Sequence, residues 1–190
     1  MLGRLIAFIM SYETKGDNRR VIEALAVASG DHVLDVGCGH GRSLPELAAH
    51  ASRGKIVGVD PSEVMTEMAA RRAGELVAFG RVRIVTASVD ALPFPDSSFD
   101  KALCVHVVYF WRDLDPSLFE IARVLKSGGR LALLFRTNAS QEVGAFPADI
   151  YHFPALEGMT AALEGAGFRV ETADAAAERT SPVLVTATKA

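Results

Sequence analysis

The chain has 190 residues, 49% of them hydrophobic and 23% charged, with a formal net charge of -3. That balance excludes a disordered chain and argues against a nucleic-acid binder that works by neutralising phosphates. Cys38 and Cys104 lie in neither a CxxC pair nor a Cys/His cluster, so neither a disulfide framework nor a zinc site is expected. The longest apolar runs, Leu5 to Met10 and Ala102 to Trp111, fall short of the roughly 18 residues that a membrane span requires. The first has no small-residue cleavage site after it, so it reads as native structure and the default expectation is a cytoplasmic protein.

Taken in chain order, short apolar runs alternate with helical patterns. A helix is expected from Asp17 to Ala28, with Val21, Ile22, Leu25 and Ala28 on one face. Strand-like runs follow at His32 to Val36, Lys55 to Val59, Val82 to Val85, Lys101 to Val105 and Arg130 to Leu134. Their continuous apolar character suits parallel strands covered on both faces. Helices are expected between them. Ser43 to His50 is short, whereas Ser62 to Phe79 has Ser62 as its cap, an apolar face that includes Val64 and Phe79, and a Glu67–Arg71 pair. A helix with an acidic cap and a first-turn proline is expected at Asp115-Pro116, and it carries Phe119 among its apolar positions. Lys126-Ser127-Gly128-Gly129 is expected to stop it. After a last helix, Ala155 to Gly165, two strand-like runs (Phe168 to Thr172 and Val183 to Thr188) have no helix between them, which implies an antiparallel edge hairpin. The whole reads as one domain over 1–190, with 1–30 a helical segment on the core.

The most informative stretch is Val33-Leu34-Asp35-Val36-Gly37-Cys38-Gly39-His40-Gly41-Arg42. An apolar strand runs into a turn with three glycines and then a helix, a place where backbone can approach a ligand closely. The next strand ends on Asp60, where nucleotide-binding α/β folds hold a ribose diol. The glycine spacing is G-x-G-x-G, one residue shorter than the dinucleotide fingerprint.

This pattern resembles the first motif of the class I S-adenosylmethionine-dependent methyltransferases. Val59-Asp60-Pro61-Ser62 is similar to their second motif, Ser88-Val89-Asp90-Ala91-Leu92-Pro93-Phe94 to their adenine loop, and Phe99 to Cys104 to their fourth strand. Leu125 to Leu131 and Ala166-Gly167-Phe168 match the turns into the fifth and sixth strands. Within the family the chain resembles the compact small-molecule enzymes similar to the quinone-biosynthesis methyltransferases. The resemblance implies a doubly wound Rossmann-like seven-stranded sheet of order 3-2-1-4-5-7-6 with strand 7 antiparallel, and S-adenosyl-L-methionine as cofactor. It also implies roles. The turn of Gly37, Cys38, Gly39 and Gly41 packs on the methionine part and Asp35 reaches the amino-acid end. Asp60 takes the ribose hydroxyls, beside Pro61. Met65 or its neighbours flank the adenine, whose ring meets the Val89 N–H, and the Cys104 carbonyl takes the ammonium. Ser88 stands where the family commonly has an aspartate, so the adenine amino group falls to Ser88 or Asp90.

Methyl transfer from a sulfonium asks the protein for alignment, exclusion of water and, for some acceptors, a base. His106 is the candidate base, against a histidine that only packs a loop. Tyr109 joins it as a wall or as core, Trp111 reads as core, and Arg136 is either an anion contact or a solvated arginine. Tyr12, Tyr151 and His152 are further candidates, and the long connection from Thr137 to Pro154 reads as a lid. The expected acceptor is a small molecule rather than nucleic acid or membrane, with the chain a monomer or homodimer. Three rivals stand beside this reading: an RNA or protein methyltransferase that needs a partner subunit, a nicotinamide-dependent oxidoreductase, and a non-catalytic nucleotide-binding protein.

Overall fold

The structure, a computed structural model, describes residues 16–173 and 181–190. Tyr12 lies outside them. Seven strands form one sheet in the order β3-β2-β1-β4-β5-β7-β6. They are β1 (His32–Val36), β2 (Lys55–Asp60), β3 (Val82–Thr86), β4 (Phe99–Val105), β5 (Leu125–Phe135), β6 (Phe168–Ala173) and β7 (Val183–Lys189). The first five pair in parallel, and β7 runs antiparallel between β5 and β6. Both the expected order and the expected edge hairpin are present.

The alternation of side chains along each central strand divides the core into two layers. Val33, Leu103, Ala132 and Leu134 face one side, where they meet α1 (16–25), α2 (Leu44–His50) and α3 (Glu63–Ala78). Leu34, Ala102, Cys104, Leu131 and Leu133 face the other, under α4 (Leu114–Val124) and α5 (Leu156–Gly165). Because both faces are covered, these strands carry no polar alternation, which is why they read as continuous apolar runs.

Several boundaries differ from expectation for identifiable reasons. The first helix ends at 25 rather than Ala28, because Ala26 turns to φ 51°. The fourth starts earlier, at Leu114 behind Asp113, so Pro116 sits inside its first turn, where its missing N–H costs nothing. The glycine stop after it exists, but inside a strand. Leu125 pairs with Phe99 and Arg130 with Lys101, and 126–129 loops out between them. On α3, Ser62 accepts from the Met65 N–H and Glu67 meets Arg71, as expected. Its buried face, however, is Thr66, Ala69 and Ala73, while Val64 and Phe79 are exposed, as is Phe119 on α4.

Candidate active site

The carboxyl ends of β1, β2, β3 and β4 lie side by side on one sheet edge, and the loops leaving them line one cavity of about 950 Å³. The glycine turn is fastened to its neighbour strand. The N–H groups of Gly37 and Cys38 both donate to the Val59 carbonyl, at 2.8 and 3.0 Å. Gly37 has φ +69°, and a Cβ there would lie 2.2 Å from Val107 Cγ2, so only glycine lets the turn pass beneath that loop. At Gly41 a Cβ would lie 2.9 Å from the Ala69 backbone, so this glycine lets α3 close on the turn. Open space surrounds the corresponding position at Gly39, which lines the cavity.

Two carboxylates sit behind this turn. Asp60 is half-buried at the end of β2 and accepts the Gly39 N–H and the Ser62 N–H, each at 2.9 Å. Burial raises its pKa, against the opposing effect of those two donors. Asp35, inside β1, is buried and accepts the Ser43 hydroxyl. Burial, opposed by Ser43 and reinforced by the nearby Asp60 charge, lifts its carboxyl to about 7. Burial also pushes the Cys38 and Cys104 thiols upward, so neither is a ready nucleophile.

The opposite wall begins where β4 ends. His106 has φ 55° and donates its N–H to the Leu134 carbonyl at 2.8 Å. Its ring bridges two groups, with Nδ1 2.9 Å from the Tyr109 hydroxyl and Nε2 2.9 Å from Asp17 Oδ2 on α1. The Tyr109 oxygen accepts the Arg136 N–H at 2.6 Å, and burial raises its pKa. Asp17 accepts at Nε2, and the Tyr109 hydroxyl is placed to donate to Nδ1. Tyr109 itself is buried and does not line the cavity, and Trp111 belongs to the core while also touching it.

The connection after β5 is tied at its base by the Asn138 N–H to the Pro154 carbonyl, and it contains a short 3₁₀ turn, Val143–Ala145. Its aromatics pack over the loop after β4. Phe153 lies 4.7 Å from Tyr109 and Tyr151 lies 5.0 Å from Phe110, measured between ring centroids. Tyr151 reaches the cavity, whereas His152 does not and donates its N–H to the Tyr109 carbonyl. Arg136 is neither solvated nor open to a ligand, since it pairs with Glu142 at 2.8 Å.

The cavity therefore brings together Asp35, Gly37, Cys38, Gly39, Asp60 and Pro61 with Met65 from α3 and with Ser88, Val89 and Asp90 from the loop after β3. His106 joins them from the far side. Gly41 and Cys104 do not line it; Val105, the last residue of β4, and Val107 from the loop after it stand there instead. Asn18 and Arg42 line it without having been expected. Asn18 stands four residues before Ile22 on the buried face of α1, and a polar residue at that position was a usable signal.

A methyltransferase-domain family model matches residues 34–133, which is more than half of the chain. The chain belongs to the class I S-adenosylmethionine-dependent methyltransferases. It is 31% identical over 164 residues to the uncharacterized methyltransferase YdaC of Bacillus subtilis, covering 86% of each chain. It is 35% identical over 146 residues to the ubiquinone/menaquinone biosynthesis C-methyltransferase UbiE of Escherichia coli, covering 73% of this chain and 55% of that one. Apart from YdaC, the chain spans about half or less of the first curated relatives it matches. Among solved structures, a SAM-dependent methyltransferase from Aquifex aeolicus superposes with a TM-score of 0.77 at 23% identity, covering 92% of this chain and 90% of that one. A geranyl diphosphate methyltransferase in complex with SAM gives 0.81 at 20% identity, covering 99% and 90%. Both likenesses support the fold. The nicotinamide and non-catalytic readings fall with the family assignment. The methyltransferase uses S-adenosyl-L-methionine, and the open cradle at Gly39, with Asp60 beside it and Ser88 to Asp90 beyond, fits that cofactor.

Proposed function

We propose that this methyltransferase transfers the methyl group of S-adenosylmethionine to a small, largely aromatic or apolar acceptor. The observation that carries the reading is the second half of the cavity, beyond the glycine turn, which is walled by Phe110, Trp111, Tyr151 and His106. The printed names of relatives point the same way: UbiE is a quinone-biosynthesis C-methyltransferase, and resE of Aspergillus sclerotiorum is an O-methyltransferase. The bound cofactor supplies an activated methyl group on a sulfonium. Asp60 holds the ribose diol beside Pro61, Val89 meets the adenine ring with Met65 on its face, and Ser88 or Asp90 takes the amino group. Gly37, Cys38 and Gly39 lie along the methionine part, with Asp35 behind them. The Cys104 carbonyl, which is not on the cavity wall, yields its expected role with the ammonium to the end of β4.

His106 is the proton acceptor in this account. Asp17 sits at Nε2 and offsets the charge of an imidazolium, and Nδ1 becomes the accepting atom when the His106 ring turns away from the buried Tyr109 hydroxyl toward the acceptor. The chain acts as one domain over 1–190, as a cytoplasmic monomer or homodimer, with neither nucleic acid nor membrane as its target. The test is initial-rate formation of S-adenosylhomocysteine across a panel of quinols, phenols, polyketide phenols and prenyl diphosphates, with tRNA and a protein extract as controls. Turnover of a phenolic or quinol acceptor that falls at least tenfold in His106→Gln supports the reading. Turnover confined to the macromolecular controls refutes it.

A further inference from the structure

The amino-acid end of the cofactor carries a carboxylate, and the wall it must approach is acidic, with Asp35 and Asp60 behind the turn. Arg42 is the cation on that wall. It follows Gly41 directly and lines the cavity beside Ser43 and His40. Its Nη1 is buried and has no hydrogen-bond partner, and among the described residues Arg42 makes no ion pair. Arg130 also has an unpartnered buried Nε, but its charge is met by Glu171 at 2.9 Å and it does not line the cavity. Arg81 donates to the carbonyls of Ala48, Ala51 and Gly54, and Arg123 is held by Glu120 and Asp96. A buried guanidinium nitrogen left without an acceptor is costly, and such groups are normally paired. His40 is the weaker candidate for the role: burial and the neighbouring Arg72 and Arg42 lower its pKa and disfavour its charged form.

Strand order gives the direction of the ligand. The adenine loop follows β3, the ribose acid ends β2, and Arg42 follows the turn after β1, with β4 next beyond. A cofactor stretched along that edge brings its amino-acid end, not its base, to Arg42. We propose that Arg42 receives the carboxylate of the cofactor through a charge-assisted hydrogen bond from Nη1.

Calorimetry with two ligands isolates this contact: S-adenosylhomocysteine and its decarboxylated analogue, which keeps the ammonium. The wild-type protein prefers the former by roughly ten- to a hundredfold, the range expected for one hydrogen bond between charged groups. In Arg42→Gln that preference falls below about threefold, while affinity for the decarboxylated analogue stays within about twofold of wild type; Arg42→Lys restores part of the preference. A preference retained in Arg42→Gln overturns the assignment. An equal loss of both ligands also overturns it, because Arg42 then supports the turn rather than the carboxylate. Failure of both ligands to bind wild type would instead strike at the cofactor site itself.

Discussion

Replacing Asp60 by alanine tests how one carboxylate serves both the fold of the glycine turn and the ligand. In the free protein its two oxygens accept the N–H groups of Gly39 and Ser62 at 2.9 Å, which hold the turn after β1 to the start of α3. Hydrogen bonds to a charged group contribute about 1.5–3 kcal/mol each. Against this, half-burial raises the Asp60 pKa, so the ionised form is partly penalised, and removing it also relieves Asp35. The freed N–H groups can meet water at the cavity wall. The net loss of stability is therefore small, about 1–2 kcal/mol, measurable by urea denaturation at neutral pH. Loss of the ribose acceptor adds a separate weakening of S-adenosylhomocysteine, tenfold or more in Kd by calorimetry. Asp60→Asn is no gentler, because its amide nitrogen would face the Gly39 or Ser62 N–H. A folded Asp60→Ala protein that binds S-adenosylhomocysteine as tightly as wild type would refute the placement of the ribose.

Three further outcomes are expected. The folded-state carboxyl of Asp35 stands at about 7 against an ordinary 3.8. The stability it permits is therefore fully present below about pH 4 and is lost as pH rises through 7, by at most about 4 kcal/mol. In Asp35→Asn the Tm of the ligand-free protein should fall less between pH 5 and 8 than in wild type, and equal slopes would remove Asp35 as the cause. Replacing Ala139 to Ala145 with a short Gly/Ser link removes Glu142 from Arg136 and loosens the loop under Tyr151. Affinity for S-adenosylhomocysteine should survive in calorimetry while methyl transfer drops at least tenfold, and normal turnover would place the acceptor elsewhere. Leu103, fully buried between β1 and β5, should cost about 2–5 kcal/mol as Leu103→Ala in urea denaturation, and a loss under 1 kcal/mol would contradict its central position.

The strands, the edge hairpin and most residues of the cavity's glycine-turn side were legible from local signals, whereas the strand order came with the resemblance to the methyltransferase family. The local signals are continuous apolar runs, glycines at a turn that passes under Val107 and α3, and an acid at a strand end. What was not legible depends on long-range placement. Nothing near His106 in the sequence announces Asp17, which lies 89 residues away. Tyr109 reads as a possible wall, yet its hydroxyl turns inward to the Arg136 N–H. Cys104 was placed at the strand end by the likeness of Phe99 to Cys104 to the family's fourth strand, whereas pairing with Leu134 carries β4 through Val105, as the apolar run Lys101 to Val105 has it. The glycines of 126–129 spell a turn, and the sequence alone cannot say that the chain resumes the same strand pairing afterwards. Val64 and Phe79 have helical spacing but fall outside the narrow stripe of small residues that α3 buries.

The most direct measurement is a crystal structure of the protein with S-adenosylhomocysteine. The account predicts the ribose on Asp60, the adenine against Val89 beside Ser88 and Asp90, and the amino-acid end along Gly37 and Gly39 facing His106. A ligand bound with its adenine at the His106 end, or outside this cavity altogether, would contradict it.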